Sequence, residues 1–426
     1  MSNKPEIYFY KGSTNKIDES KSASDKNQSE IEKIKIIRNE INKIIDGKNL
    51  SFLLGAGCSS YKINDKGQEV GIPTMLELAM MFYQELDEDY KKKLKDKFSI
   101  DVLEDKFASD LEFFLGNLFS IKYILENRTQ NKDNKDKLEI IQNIIKEIKK
   151  FLIKTIQNEE NKKNEQDKPL SQIYEKFYKK LLYRSSNLIK PNIFTTNYDL
   201  YSETTMDKLG IHYVNGFAGG INKHFNPTIF NYTLAEKMDL SHNKWNSIDN
   251  FFYLYKLHGS VNWIEDDSHS KLFRVKEIQE ELIDSDGDLA KSVMIYPTPL
   301  KQNESLGSPY SDLFREFQKK LMQHNNILVT VGYSFRDEHI NNLIYQAFTI
   351  PSFRLIIIGD CNQSEIEKLK SLEDPRIWII GGKLKNNENL HYFKNFVEQI
   401  LPDLDDDEID IKIENAVKTL FKVAEK

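Results

Sequence analysis

Cysteine is nearly absent: Cys58 and Cys361 are the only two in 426 residues. One chain therefore cannot build a disulfide framework or a four-cysteine zinc ribbon, and a reducing cytoplasm is its natural compartment. An excess of positive charge is missing too. Lys and Arg total 60 against 66 Asp and Glu, a formal net charge of -6. That excludes a molecule held to nucleic acid by its whole surface, although a local basic face is still allowed. No uninterrupted apolar run approaches the roughly 20 residues that span a bilayer. The first thirty residues are polar and rich in Ser, Lys and Asp, without the apolar core of a secretion signal. The expectation is a soluble cytoplasmic protein of one to three domains.

What is present is a series of apolar runs that end in small polar residues. Leu50–Leu54 runs into Gly55-Ala56-Gly57-Cys58-Ser59, and residues 191–195 end in Thr195-Thr196-Asn197-Tyr198-Asp199. Residues 251–257 deliver His258-Gly259-Ser260, and Ile327–Val331 ends in Gly332-Tyr333-Ser334-Phe335 followed by Arg336-Asp337. A weaker fifth case is Ile358-Gly359-Asp360. Strands are expected at 191–195, 211–214, 251–257, 292–296, 326–331, 353–358 and 376–380, with helices near 199–209, 309–323, 337–349 and 363–371. Strands alternating with helices indicate an α/β fold with a mostly parallel sheet covered on both faces. Ligands of such sheets bind at the carboxyl ends of the strands.

Around this sheet the pattern is helical. Ser29 and Glu30 open a helix with Ile31, Ile34, Ile37, Ile41 and Ile45 at helical spacing, and Gly47 is a plausible stop. Residues 74–184 read almost wholly as helix, with stripes from Met75, from Ser109-Asp110 and from Leu138 to Leu152. Two polar tracts, 127–137 and 157–168, are expected as surface loops. Residues 1–28 read as a mobile arm carrying an apolar island, Ile7–Tyr10, either an edge strand or a partner-binding tag. Ile409, Ile413, Val417, Leu420 and Val423 form a last amphipathic stripe.

Each motif also has a plain explanation. Missing Cβ atoms in Gly55-Ala56-Gly57 let a diphosphate approach backbone N–H groups at a helix start, but many strand–helix turns need glycine. There is no third glycine of the dinucleotide fingerprint and no GK[ST] of a P-loop. Asn197 and Asp199 suit either helix capping or the holding of a ribose hydroxyl or a water. His258 is one of eight histidines, set apart by its place between an apolar strand and a glycine. Four or five such elements in one chain are more specific than any one of them.

The order GAGCS, TTNYD, LHGS and GYSF-x-D resembles the sirtuin-like NAD-binding domain, over roughly residues 48–385. Gly71-Ile72-Pro73 echoes that family's nicotinamide-site loop. The finer matches are IFTTNYDL, Asn215-Gly216-Phe217, YLYKLHGS through Trp263, Ile295–Pro297 and His339-Ile340-Asn341. They resemble the sirtuin-like subunit of bacterial antiphage systems that pair it with a HerA-type hexameric ATPase. The chain departs from sirtuin deacylases in lacking their four-cysteine zinc module and in carrying Thr196 where they have glutamine. These departures favour water as the acceptor.

The resemblance implies a Rossmann-like, mostly parallel sheet with an inserted helical module and terminal helices. Its parts would be an N-terminal arm (1–28), a first Rossmann part (29–73), the insert (74–188), the remaining Rossmann part (189–385) and a C-terminal helical segment (386–426). It implies cleavage of the nicotinamide–ribose bond of NAD+, with Asn197 orienting the ribose or its water and His258 as general base. Gly55, Ala56, Gly57 and Ser59, with Gly332, Tyr333 and Ser334, would hold the diphosphate and adenosine half. Thr196, Asp199 and Asp360 would complete the site, Asp199 from behind it or on the ribose. No metal is expected. Expected partners are further copies of the chain and a HerA-type ATPase, with DNA met at most indirectly and no membrane. The rival readings are a protein deacylase or ADP-ribosyltransferase and a non-catalytic sensor of NAD or ADP-ribose. A nuclease ranks low: Lys91-Lys92-Lys93 could meet DNA, but no carboxylate–metal constellation stands out.

Overall fold

The apolar runs become strands of one sheet in the computed structural model, which describes residues 6–19, 29–45, 49–62, 69–73, 75–128, 131–160, 169–182, 184, 188–237, 245–248, 250–266, 275–278, 292–294 and 309–402. In chain order these strands are β1 (Tyr8–Lys11), β2 (Thr14–Asn15), β3 (Asn49–Leu54), β4 (Asn192–Thr195) and β5 (His212–Val214). They continue with β6 (Phe251–Lys256), β7 (Asn326–Val331), β8 (Arg354–Ile358) and β9 (Ile377–Gly381). Their spatial order is β2-β1-β9-β8-β7-β3-β4-β6-β5. Strands β3 to β9 pair in parallel, and β1 adds antiparallel to β9. The fold is Rossmann-like, as expected. Strands β7 and β9 are buried at every position, because parallel strands of this kind are covered on both faces.

The covering helices are α1 (Glu30–Ile45), α2 (Met75–Glu85), α3 (Leu111–Glu126), α4 (Lys132–Glu160) and α5 (Pro169–Leu182). After β4 come α6 (Tyr201–Lys208), α7 (Tyr310–Leu321), α8 (Glu338–Ala347) and α9 (Ser364–Ser371), each close to its expected place. Phe52 and Ile193 face α1 and α5 through Ile37, Ile41, Phe177 and Tyr178. Leu53 and Phe194 face the opposite layer, built from Leu313, Phe317, Ile340 and Ile344. Adjacent strand residues thus serve opposite cores, the period-2 rule of a strand. A third cluster joins Leu78, Phe82, Phe114 and Ile148 of α2–α4 to Tyr198, Leu200 and Val261. The helical layer therefore rests directly on the turns at the strand ends.

Three expectations need correction. The N-terminal segment is no free arm: Ile7, Tyr8 and Phe9 are buried, and β1 covers the edge that β9 would otherwise expose. The island is a strand. The tract 127–137 is not a loop throughout, since α4 starts at Lys132, and 157–160 are its last residues. Asn131 Oδ1 accepts from the N–H of Asn134 (2.8 Å) and Asp133 pairs with Lys137 (2.7 Å), so a turn without apolar residues still forms. Helix α1 begins as expected, Ser29 and Glu32 bonding each other's backbone N–H, but Ile31 of its stripe faces solvent.

Ser292–Met294 belongs to a second, antiparallel sheet of five strands that also holds Gly259–Glu265. Gly47, residues 161–168, Ile295–Pro297 and the stripe from Ile409 to Val423 lie outside the described residues. Among the described residues no helix is long and apolar enough to cross a membrane.

Candidate active site

Parallel register puts Ile380, Ile358, Val331, Leu54, Thr195 and Lys256 in one row across six strands. One residue further along the chain this row reads Gly381, Gly359, Gly332, Gly55, Thr196, Leu257. Two residues further it reads Gly382, Asp360, Tyr333, Ala56, Asn197, His258. The motifs read separately in the sequence therefore lie along one rim, at the carboxyl edge where such sheets bind ligands. Asn197 and His258 leave adjacent strands at equivalent positions.

The glycines fit each other first. Gly332 has φ +63, and a Cβ on it would lie 2.6 Å from the Cys58 nitrogen. A Cβ on Gly55 would lie 2.4 Å from the Gly332 oxygen, and one on Gly57 2.8 Å from the Gly332 Cα. Missing side chains thus let the β3 and β7 turns interlock, whatever they allow a phosphate. Gly55 N–H donates to Val331 O (2.9 Å), Gly57 to Gly332 O (3.0 Å), Cys58 to Gly55 O (2.9 Å) and Ser59 to Ala56 O (3.0 Å). Among the described residues of this turn, Ala56 is exposed and its N–H is not among these backbone bonds. Gly332→Ala is expected to cost about 1–2 kcal/mol from the left-handed backbone alone, with the clash added. Its melting temperature should fall clearly below wild type; an unchanged value would contradict the interlock.

Asn197 is fixed from inside the protein. Its Nδ2 donates to Gly55 O (3.0 Å) and to Ser59 Oγ (2.7 Å), and Ser59 Oγ donates to Asp199 Oδ2 (2.5 Å). A backbone carbonyl only accepts, so the orientation of the amide is determined. Ser59, expected as a phosphate contact, is buried and committed to Asn197 and Asp199. Asp199 is buried as well. Its Oδ1 accepts from the Tyr201 N–H (3.2 Å) at the start of α6. Burial holds the Asp199 carboxyl above its ordinary range, against the pull of Lys256 and the Ser59 hydroxyl.

Lys256 is 1% exposed beneath both turns. Its Nζ donates to Tyr198 O (3.2 Å), to Asp199 O and to Ser260 Oγ (2.7 Å), and it pairs with Glu203 Oε1 of α6 (3.0 Å). A buried ammonium is tolerable only when so satisfied. The result is a clamp between residues 198–199 and residue 260. Val261 N–H also donates to Tyr198 O (3.0 Å), and the rings of Tyr198 and His258 lie 6.4 Å apart. His258 Nε2 stands 2.9 Å from Asp337 Oδ2.

The other expected site residues are more peripheral. Tyr333 is buried, with its hydroxyl donating to Asn341 Oδ1 (2.9 Å), so it braces its own turn. Ser334 O accepts from Gln363 Nε2 (2.8 Å). Asp360 is exposed and accepts from the Asn362 N–H (3.0 Å) in a local turn. Thr196 N–H donates to Leu54 O (3.1 Å), which ties the β4 turn to β3. A small crevice of about 10 Å³ beside Arg184, Pro191 and Phe252 lies at the opposite, amino end of the strands and is too small for a substrate.

The sequence analysis assigned no site role to Lys256, Glu203, Asp337 or Asn341. A lysine inside the apolar run FFYLYKL was the available signal, because a charge there demands partners. Asp337 and Asn341 stood within quoted motifs but without a role, and nothing local marked Glu203.

Residues 191–380 match the SIR2-like domain family. The chain carries that domain, and the domain implies chemistry on NAD+. The matched span includes the Asn197, His258 and Gly332 turns, while the glycine turn at 55–57 lies ahead of it. No curated protein matches the chain.

Proposed function

We propose that this protein is an NAD+ hydrolase that cleaves the nicotinamide–ribose bond and releases nicotinamide and ADP-ribose. The observation that carries the reading is the pairing at equal register of Asn197, whose amide hydrogens are both engaged inward, with His258 on the next strand. Asn197 Oδ1 is an acceptor suited to a ribose hydroxyl or to the attacking water. His258 takes the proton that the water loses as it bonds to the sugar carbon. The electron pair of the broken bond leaves on nicotinamide, and positive charge gathers on the ribose as in other glycosidic cleavages. Near that charge, buried Asp199 supports Asn197 through Ser59.

The Ala56 N–H and the Gly55–Gly57 turn serve the diphosphate. Gly332, Tyr333, Ser334 and Asp360 shape the adenosine end, and Thr196 flanks Asn197. Motif resemblance extends the proposal to a homo-oligomer that depletes NAD+ in antiphage defence beside a HerA-type ATPase.

The test is to mix the purified full chain with NAD+ and no acceptor, with and without such an ATPase. Nicotinamide and ADP-ribose should appear in equal amounts. A parallel reaction with an acetyl-lysine peptide separates the deacylase reading. Product only when peptide is present, or no product in any mixture, would sink the hydrolase.

A further inference from the structure

Asp337 has two contacts that its place in the sequence does not disclose. Its Oδ1 accepts from the N–H groups of His339 (3.0 Å) and Ile340 (3.4 Å), which caps α8. Its Oδ2 lies within ion-pair distance of His258 Nε2 (2.9 Å), without the alignment of a hydrogen bond, the two side chains being 12% and 10% exposed. The loop that presents it is held as well. Asn341, on α8, donates from Nδ2 to Phe335 O (2.7 Å) and accepts from the Tyr333 hydroxyl (2.9 Å). Phe335 sits at φ 55, in the left-handed region that a bulky residue adopts only when its surroundings impose it. One oxygen fixed by the helix cap and a braced loop leave the other oxygen little freedom to leave the imidazole.

We propose that Asp337 is the positioning residue for His258: a small turn of the ring brings the Nε2 proton onto its carboxylate, which sets the rotation and tautomer of the ring. A carboxylate has no proton to give in its ionised form, so Nε2 carries the hydrogen and the lone pair of the neutral ring is on Nδ1. This rests on the hydrolase reading for its kinetic consequence but not for the contact itself. It also links the ring to α8, because one side chain serves both.

Two variants separate the cap from the ring contact. Asp337→Asn keeps an oxygen for the cap but turns an NH₂ toward Nε2, which favours the opposite tautomer. Asp337→Ser keeps a capping oxygen and is too short to reach the ring. Both should melt near wild type and bind NAD+ with affinity changed by less than about twofold, while kcat for nicotinamide release falls by about tenfold or more, as when an orienting carboxylate is lost from a histidine. Ring-nitrogen NMR of histidine-labelled full chain, with His258 assigned by loss of its signal in His258→Gln, should show the Nε2–H form in wild type. Asp337→Asn should shift it to Nδ1–H. A purely structural Asp337 would lower the melting temperature and leave the tautomer alone. Unchanged ring-nitrogen signals, or wild-type kcat in Asp337→Asn, overturn the proposal. If the wild type releases no nicotinamide, the hydrolase reading falls, and the NMR comparison still decides the role of Asp337.

Discussion

Nicotinamide release by His258→Ala should fall about a hundredfold or more, the usual consequence of removing an oriented acid–base group. The fold should survive. Asp337 keeps its place through the backbone N–H groups of His339 and Ile340, so deleting the imidazole removes one partner of the carboxylate and leaves the cap intact. Asn197→Ala differs. It would strip Gly55 O and Ser59 Oγ of a donor, and one unsatisfied buried group costs about 1–3 kcal/mol. Its lost turnover should therefore come with a lower melting temperature, whereas His258→Ala loses turnover alone. Nicotinamide release by liquid chromatography and thermal melting of the same preparations read the two effects. Wild-type turnover in a well-folded His258→Ala protein would remove the ring from the chemistry.

The strands were legible because burial on both faces writes a signal into consecutive residues. In the run Leu355-Ile356-Ile357-Ile358 every side chain is apolar and buried, and the run ends where the chain leaves the sheet. The shared rim followed, since strand-end residues of parallel neighbours come to one edge by topology. What sequence could not disclose was which side chains point at one another across it. Ser59, expected as a phosphate contact, and Asp337, given no role, each bond first within their own turns. Their second contacts, to Asn197 and His258, join distant parts of the chain, 138 residues apart in the case of Ser59, and no local pattern records them. The glycine turn was legible in place but not in its packing cause, because a Cβ on Gly55 or Gly57 would meet the Gly332 backbone of a distant turn.

Lys256→Met should be the most destabilising change at the site, by about 3–5 kcal/mol, because it leaves Glu203 without its cation deep in the protein. The loss should also depend on pH in a defined direction. Burial raises the carboxyls of Asp199 and Glu203 above their ordinary range even with Lys256 present, and the Lys256 charge opposes that rise in both. The folded chain therefore binds these protons more tightly than the unfolded chain. Their contribution to stability is fully present below the ordinary carboxylate range and is lost as pH rises through the raised folded values. Removing the cation pushes both carboxyls further up and widens that window. Denaturant melts should thus show a larger gap between wild type and Lys256→Met at pH 8 than at pH 5, where protonation relieves the orphaned acids. Adding Glu203→Gln to Lys256→Met should recover part of the loss, since a neutral amide is cheaper to bury than an unpaired carboxylate. A Lys256→Met protein as stable as wild type at pH 8 would mean that the clamp beneath the two turns is not what holds them together.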